Sequence, residues 1–180
     1  MKKYVTIVTV FLLSACFVTA QSTYTAVDES SRVHFVIKNF GIKTGGDFSG
    51  LKGTIKFDSE KFSTSVFDVT VDAATIDTDN ESRDGHLRKA EYFDVASYKT
   101  IRFKSTKITR SSVAGRFYVF GELTIKGVTK PVEFGFGATA KNGGYVFDGE
   151  FKINRRDFGV GGNSATLSDN LTVSLSVFAK

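Results

Sequence analysis

Phe117-Tyr118-Val119-Phe120-Gly121-Glu122-Leu123-Thr124-Ile125 is followed by Val132-Glu133-Phe134-Gly135-Phe136 and then by Tyr145-Val146-Phe147-Asp148-Gly149-Glu150-Phe151. In each run apolar and polar or small residues alternate, the period of a half-buried strand. Strands are therefore expected over Phe117 to Ile125, Val132 to Thr139, Tyr145 to Asn154 and Leu171 to Phe178. Turns are read at Ser111-Gly115, Lys126-Pro131, Lys141-Gly144 and Gly159-Asp169. Connections this short join antiparallel neighbours, and no amphipathic run of roughly 10–15 residues separates the strands to form a parallel crossover.

Upstream the pattern persists. Val33, Phe35 and Ile37 alternate with Arg32, His34 and Lys38, after a shorter strand at Tyr24 to Val27. Gly41 to Gly50 reads as a glycine-rich turn region, and Leu51, Gly53, Ile55 and Phe57 then share one face of the next strand. Phe67, Val69 and Val71 alternate with Asp68, Thr70 and Asp72, and Ile101 and Phe103 lead the strand from Thr100 to Thr109. The fold class is all-β, with about eight principal strands. Sequential hairpins without disulfides favour an eight-stranded antiparallel barrel over a sandwich, because closure leaves no free edge.

One segment interrupts the strands. Thr75-Ile76-Asp77-Thr78 and Arg83-Asp84-Gly85-His86-Leu87 flank a polar stretch in which Thr78, Asp79 or Asn80 can cap a short helix ending near Tyr92-Phe93. A helical insert near residues 80–93 is expected, plugging or lidding one end of the barrel.

The first twenty residues read as an export leader: Lys2-Lys3 precede an apolar run, Tyr4 to Leu13, too short to span a bilayer. Two processing readings compete. Val18-Thr19-Ala20 suits cleavage after Ala20, whereas Leu13-Ser14-Ala15-Cys16 matches a lipobox that would anchor the protein through Cys16. Cleavage after Ala20 is favoured because Phe17-Val18 make a poor polar tether. A periplasmic domain over 21–180 is expected, 160 residues without cysteine, since Cys16 is the only one in the chain. Losing Lys2 and Lys3 takes the formal charge from +5 to +3, and the remaining cations are scattered among carboxylates. That argues against nucleic acid as a partner. No second long apolar run suggests a transmembrane segment, and a homodimer stays open.

The inward face of such a barrel would carry Phe35, Ile37, Phe57, Phe67, Val69, Ile101, Phe103, Val119, Leu123, Phe134, Phe136, Phe147 and Phe151. An eight-stranded barrel is just wide enough to be filled by side chains or to hold one ligand. Gly53, Gly121 and Gly149 fall on the same faces and argue for empty space, so these thirteen residues are the candidate ligand-binding set. Arg83, Asp84 and His86 are candidates for the cavity mouth, for headgroup contact, or for tying the insert to the barrel. Arg155 and Asp157 are expected to order the last long turn.

No catalytic or metal centre is read. A zinc site needs three or four converging ligands, and 77–81 lacks the turn glycine of a calcium loop, which would fall at Ser82. No serine sits in a Gly-x-Ser-x-Gly elbow. An enzyme acting inside the barrel and a packed interaction module without a ligand are the alternative classes.

The ordered motifs add a resemblance. Ser31-x-Val33-x-Phe35, Gly53-x-Ile55-x-Phe57-Asp58, Thr75-Ile76-Asp77-Thr78, Arg83-Asp84-x-His86-Leu87 and Tyr92-Phe93-Asp94 come first. Gly121-x-Leu123-Thr124-Ile125-x-Gly127-Val128-Thr129-x-Pro131-Val132, Arg155-x-Asp157-Phe158-Gly159 and Leu167-Ser168-Asp169 follow. Together they resemble the YceI-like family of exported lipid-binding proteins from Tyr24 to Ala179. The resemblance implies a lipocalin-like barrel holding a polyisoprenoid lipid, such as an isoprenoid quinone or polyprenyl chain, and no cofactor. Two positions depart from the family pattern: Lys99 stands where a proline follows the tyrosine, and Tyr24 replaces an early tryptophan.

Overall fold

The computed structural model describes residues 22–180. The leader read at 1–20, with Cys16, lies outside the described residues, as does Gln21. Ten strands follow in chain order: β1 (Thr23–Thr25), β2 (Arg32–Asn39), β3 (Ile42–Phe48), β4 (Lys52–Lys56), β5 (Val66–Asp72), β6 (Thr100–Arg110), β7 (Arg116–Ile125), β8 (Val128–Lys141), β9 (Gly144–Asn154) and β10 (Leu167–Ala179). The one α-helix among the described residues, α1 (Glu81–Leu87), lies between β5 and β6. All strand pairs are antiparallel, in the order β1-β4-β5-β6-β7-β8-β9-β10-β2-β3.

The alternation of β7 shows why the sheet curls around a core. Phe117, Val119, Gly121, Leu123 and Ile125 are buried, while Tyr118, Glu122 and Arg116 between them are exposed. Such a one-sided sheet must enclose its apolar face. It is drawn shut at two places. Thr25 and Lys180 exchange backbone hydrogen bonds of 2.9 and 3.1 Å, joining the end of β1 to the residue that follows β10. Asp47 of β3 and Asp77, beyond β5, exchange bonds of 2.8 and 3.1 Å.

The strand count corrects the expected eight. β3 lies inside the glycine-rich stretch read as a turn, whereas β1 is the shorter strand expected at Tyr24 to Val27, here Thr23–Thr25. Gly46 belongs in β3 for a steric reason, because a Cβ there would stand 2.6 Å from the Phe35 ring and 2.7 Å from the Thr78 methyl group. β8 starts at Val128, not Val132, since Lys126-Gly127 alone turns the hairpin with φ of 50° and 73°. Pro131 therefore sits within a strand, but β8 pairs with β9 only from Phe136 onward, so its missing N–H leaves no bond unmade on that side. β10 likewise begins early, at Leu167, across an irregularity before Leu171.

α1 is capped by the Asn80 side chain, which accepts from the Arg83 N–H at 3.0 Å. The insert covers one end of the barrel: Phe93 meets the Phe48 ring edge-on at 5.4 Å, and Tyr92 and Phe93 pack with Phe158 and Val160. No helix among the described residues is long and apolar enough to cross a membrane.

Candidate ligand-binding cavity

The barrel interior is divided into a solid half and a hollow half. In the solid half, the Phe57 ring is met edge-on by Phe117 at 5.4 Å, Phe147 at 5.2 Å and Tyr145 at 5.1 Å. Phe67 contacts both Phe136 and Phe147 at 5.3 Å, and Val119 is fully buried beside them. Five of the thirteen candidate residues, Phe57, Phe67, Val119, Phe136 and Phe147, are therefore core and do not line the cavity. The alternation correctly placed them inward. It carries no information about whether an opposing ring fills the space in front of them.

The hollow half holds a cavity of about 210 Å³ that is partly open to the outside. Phe35, Ile37, Val69, Ile101, Phe103, Leu123, Phe134 and Phe151, the other eight candidates, line it. β10 contributes Leu171, Val173, Leu175 and Val177, which no motif singled out although their alternation is plain in the sequence. Phe48 comes from the unforeseen β3, and Leu87, Tyr92 and Phe93 from the insert. Several of these side chains point inward yet are only half-buried: Phe35, Ile37, Val69, Ile101, Phe103, Phe151, Val173 and Leu175. Their unburied surface faces the cavity.

Three rings form a continuous aromatic wall. Phe134 stacks on Phe151 at 4.5 Å with 15° between the planes, and Phe103 lies 5.6 Å from Phe134. The glycines on these faces do not create the empty space, contrary to expectation. A Cβ at Gly121 would stand 2.6 Å from the Phe103 ring, and one at Gly149 would stand 3.1 Å from the Phe134 ring. They are seats for the wall.

The insert is locked to the barrel through Thr78. Buried Asp84 accepts from the Thr78 N–H at 3.0 Å and from its hydroxyl, while Arg83 donates Nε to Thr78 Oγ1 at 2.7 Å and Nη2 to its carbonyl. Arg83 and Asp84 thus meet the same residue without forming an ion pair with each other. Arg83 lines the cavity, whereas His86 is exposed, stands edge-on to Tyr92 at 4.9 Å and lies outside the wall.

Arg155 is the second cation at the wall, and it is 4% exposed. Its donors reach the Ser168, Val160, Gly162 and Leu167 carbonyls and the Asp169 carboxylate. All five guanidinium N–H groups are thereby engaged. It orders the last turn as expected, but Asp169 is its acidic partner while Asp157 is exposed.

Perturbed carboxylates lie on the outer surface, not in the cavity. The Arg102 guanidinium, bonded to both oxygens of Asp68, holds that carboxyl below the usual range, with burial opposing. Arg32 does the same to Asp47, which also bonds His34 Nδ1 at 3.0 Å. The described residues bring no group of three or more His, Cys, Asp or Glu together to hold a metal.

An apolar cavity in a curled antiparallel sheet, with a helical insert at its rim, matches a family at both the sequence and the fold level. A family model described as the YceI-like domain covers residues 24–179. The chain belongs to the YceI-like family. A relative named Protein YceI, from Salmonella arizonae, is 32% identical over 152 residues, covering 81% of this chain and 78% of that protein. Among solved structures, Burkholderia cenocepacia BcnA superposes with a TM-score of 0.80 at 25% identity, over 84% of this chain and 98% of that one. A polyisoprenoid binding domain from Saccharophagus degradans superposes at 0.70, over 87% and 97% of the two chains, at 16% identity. That last likeness establishes a shared fold. Both the motifs and the backbone path of this chain are those of the YceI-like barrel.

Proposed function

We propose that this YceI-like protein is a non-catalytic periplasmic carrier that holds the chain of a polyisoprenoid-type lipid in the hollow half of its barrel. The observation that carries this reading is the cavity itself, whose aromatic wall of Phe103, Phe134 and Phe151 leaves inward-facing apolar surface uncovered. Burying such surface against a hydrocarbon contributes about 0.8 kcal/mol per methylene, so a five-carbon unit contributes on the order of 4 kcal/mol before association costs. The name of the Saccharophagus degradans domain supports the same ligand class. The leader motifs of the sequence support export.

The size of the cavity sets the mode of binding. An apolar cavity of about 150 Å³ takes one benzene ring, so about 210 Å³ takes roughly two isoprene units. A longer chain must leave through the rim or widen the interior. Arg83 commits two of its five donors to Thr78, and the others suit an anionic or carbonyl headgroup at the rim. Specificity then rests on chain shape and a few polar contacts.

Titrating delipidated protein with polyprenyl alcohols of increasing length tests the proposal by competition with a fluorescent apolar probe. Affinity should rise steeply over about the first two units and then level. Binding that ignores chain length, or none at any length, would contradict it.

A further inference from the structure

β2 and β3 are joined by the two-residue turn Phe40-Gly41, with φ of 49° and 76°. Turns of this kind favour Asn, Asp or Gly at the first position, and a bulky residue there is strained. Phe40 is nonetheless 74% exposed, and its neighbour Ile42 is 70% exposed, the two most exposed large apolar side chains described.

Charge completes the pattern. Lys38 and Lys43 stand directly opposite each other just behind the tip, both exposed, an arrangement of like charges that weakens a hairpin. Neither forms an ion pair among the described residues, and 36–46 contains no carboxylate. The tip is held in place, because the Phe40 N–H donates to the Thr166 carbonyl at 2.9 Å. Directly behind it, Ile37, Asn39, Thr44 and Leu167 belong to the cavity wall. Ile42 pairs with Asn39 and extends that wall's face out of the barrel.

We propose that this hairpin tip docks on an anionic phospholipid bilayer. Phe40 and Ile42 enter the acyl boundary, Lys38 and Lys43 meet the headgroups, and the adjoining cavity wall is brought against the membrane. A second copy of the chain fits less well. A stable protein interface takes roughly 800 Å² from each partner, more than two side chains flanked by like charges can offer. Docking is independent of what the cavity holds, so it stands or falls separately from the carrier reading.

Flotation of delipidated protein with vesicles of phosphatidylglycerol and phosphatidylcholine, against phosphatidylcholine alone, provides the test. The protein should float with the anionic vesicles, less so at high salt. Phe40→Asn suits the turn, so it should keep or raise the melting temperature while lowering partition by roughly tenfold or more. Lys38→Gln and Lys43→Gln should each lower partition about fivefold. Failure of the unaltered protein to float would overturn the proposal, as would equal flotation of Phe40→Asn. So would tip variants that split a dimer in sedimentation without changing vesicle binding.

Discussion

The ring of Phe103 occupies the space above Gly121 on the neighbouring strand, 2.6 Å from where a Cβ would stand. Gly121→Ala must therefore push the ring or the strand, and overpacking of this kind costs about 1–3 kcal/mol. Part of that cost should vanish in a Phe103→Ala background, leaving the share due to the Lys104 carbonyl, also 2.6 Å away. Urea denaturation of the two single variants and the double variant measures the coupling.

The two halves of the barrel should respond differently to truncation. Phe136, 2% exposed and packed among Phe67, Phe117 and Phe147, should lose about 3–5 kcal/mol on change to Ala. Phe35 is half-buried at the cavity, so Phe35→Ala should cost clearly less and act chiefly on ligand retention. Denaturation curves paired with lipid content separate the two effects.

The Thr78 lock should depend on Asp84 more than on His86. Asp84→Ala leaves a buried N–H and hydroxyl without their acceptor, a loss of about 1.5–3 kcal/mol. His86→Ala should stay within about 0.5 kcal/mol, as for other exposed side chains. Thermal melts of both variants check the order.

Acid should weaken the outer face. The carboxyls of Asp68 and Asp47 are held below their ordinary value, near 3.9 in an unfolded chain. Their contribution is present above that value and lost as the pH falls through the lower folded values. A profile of stability from pH 6 to about 2 should decline through this window, and Asp68→Asn should flatten part of the decline.

What the sequence disclosed followed from periodicity. Val119 or Phe134 could be assigned a face because side chains alternate strictly along a strand, and a cap within Thr78 to Asn80 was legible because its chemistry is local, although only the structure selects Asn80. β3 was hidden, since Gly45 and Gly46 look like turn residues until the Phe35 ring and Thr78 are seen against Gly46. The split between Phe57 in the core and Phe103 at the cavity was equally hidden, because it depends on which rings cross the barrel. Arg83 and Asp84 are adjacent and opposite in charge, yet Thr78 stands between them as shared partner, a relationship only the three-dimensional path of the insert creates.

The occupancy of the cavity tests the carrier function most directly. Native mass spectrometry of protein recovered after export, followed by organic extraction, should give one apolar chain lipid per barrel, with the adduct reduced in a Phe151→Asp variant. Protein of bare polypeptide mass throughout, with no extractable lipid and no uptake of an added polyprenyl chain, would contradict it.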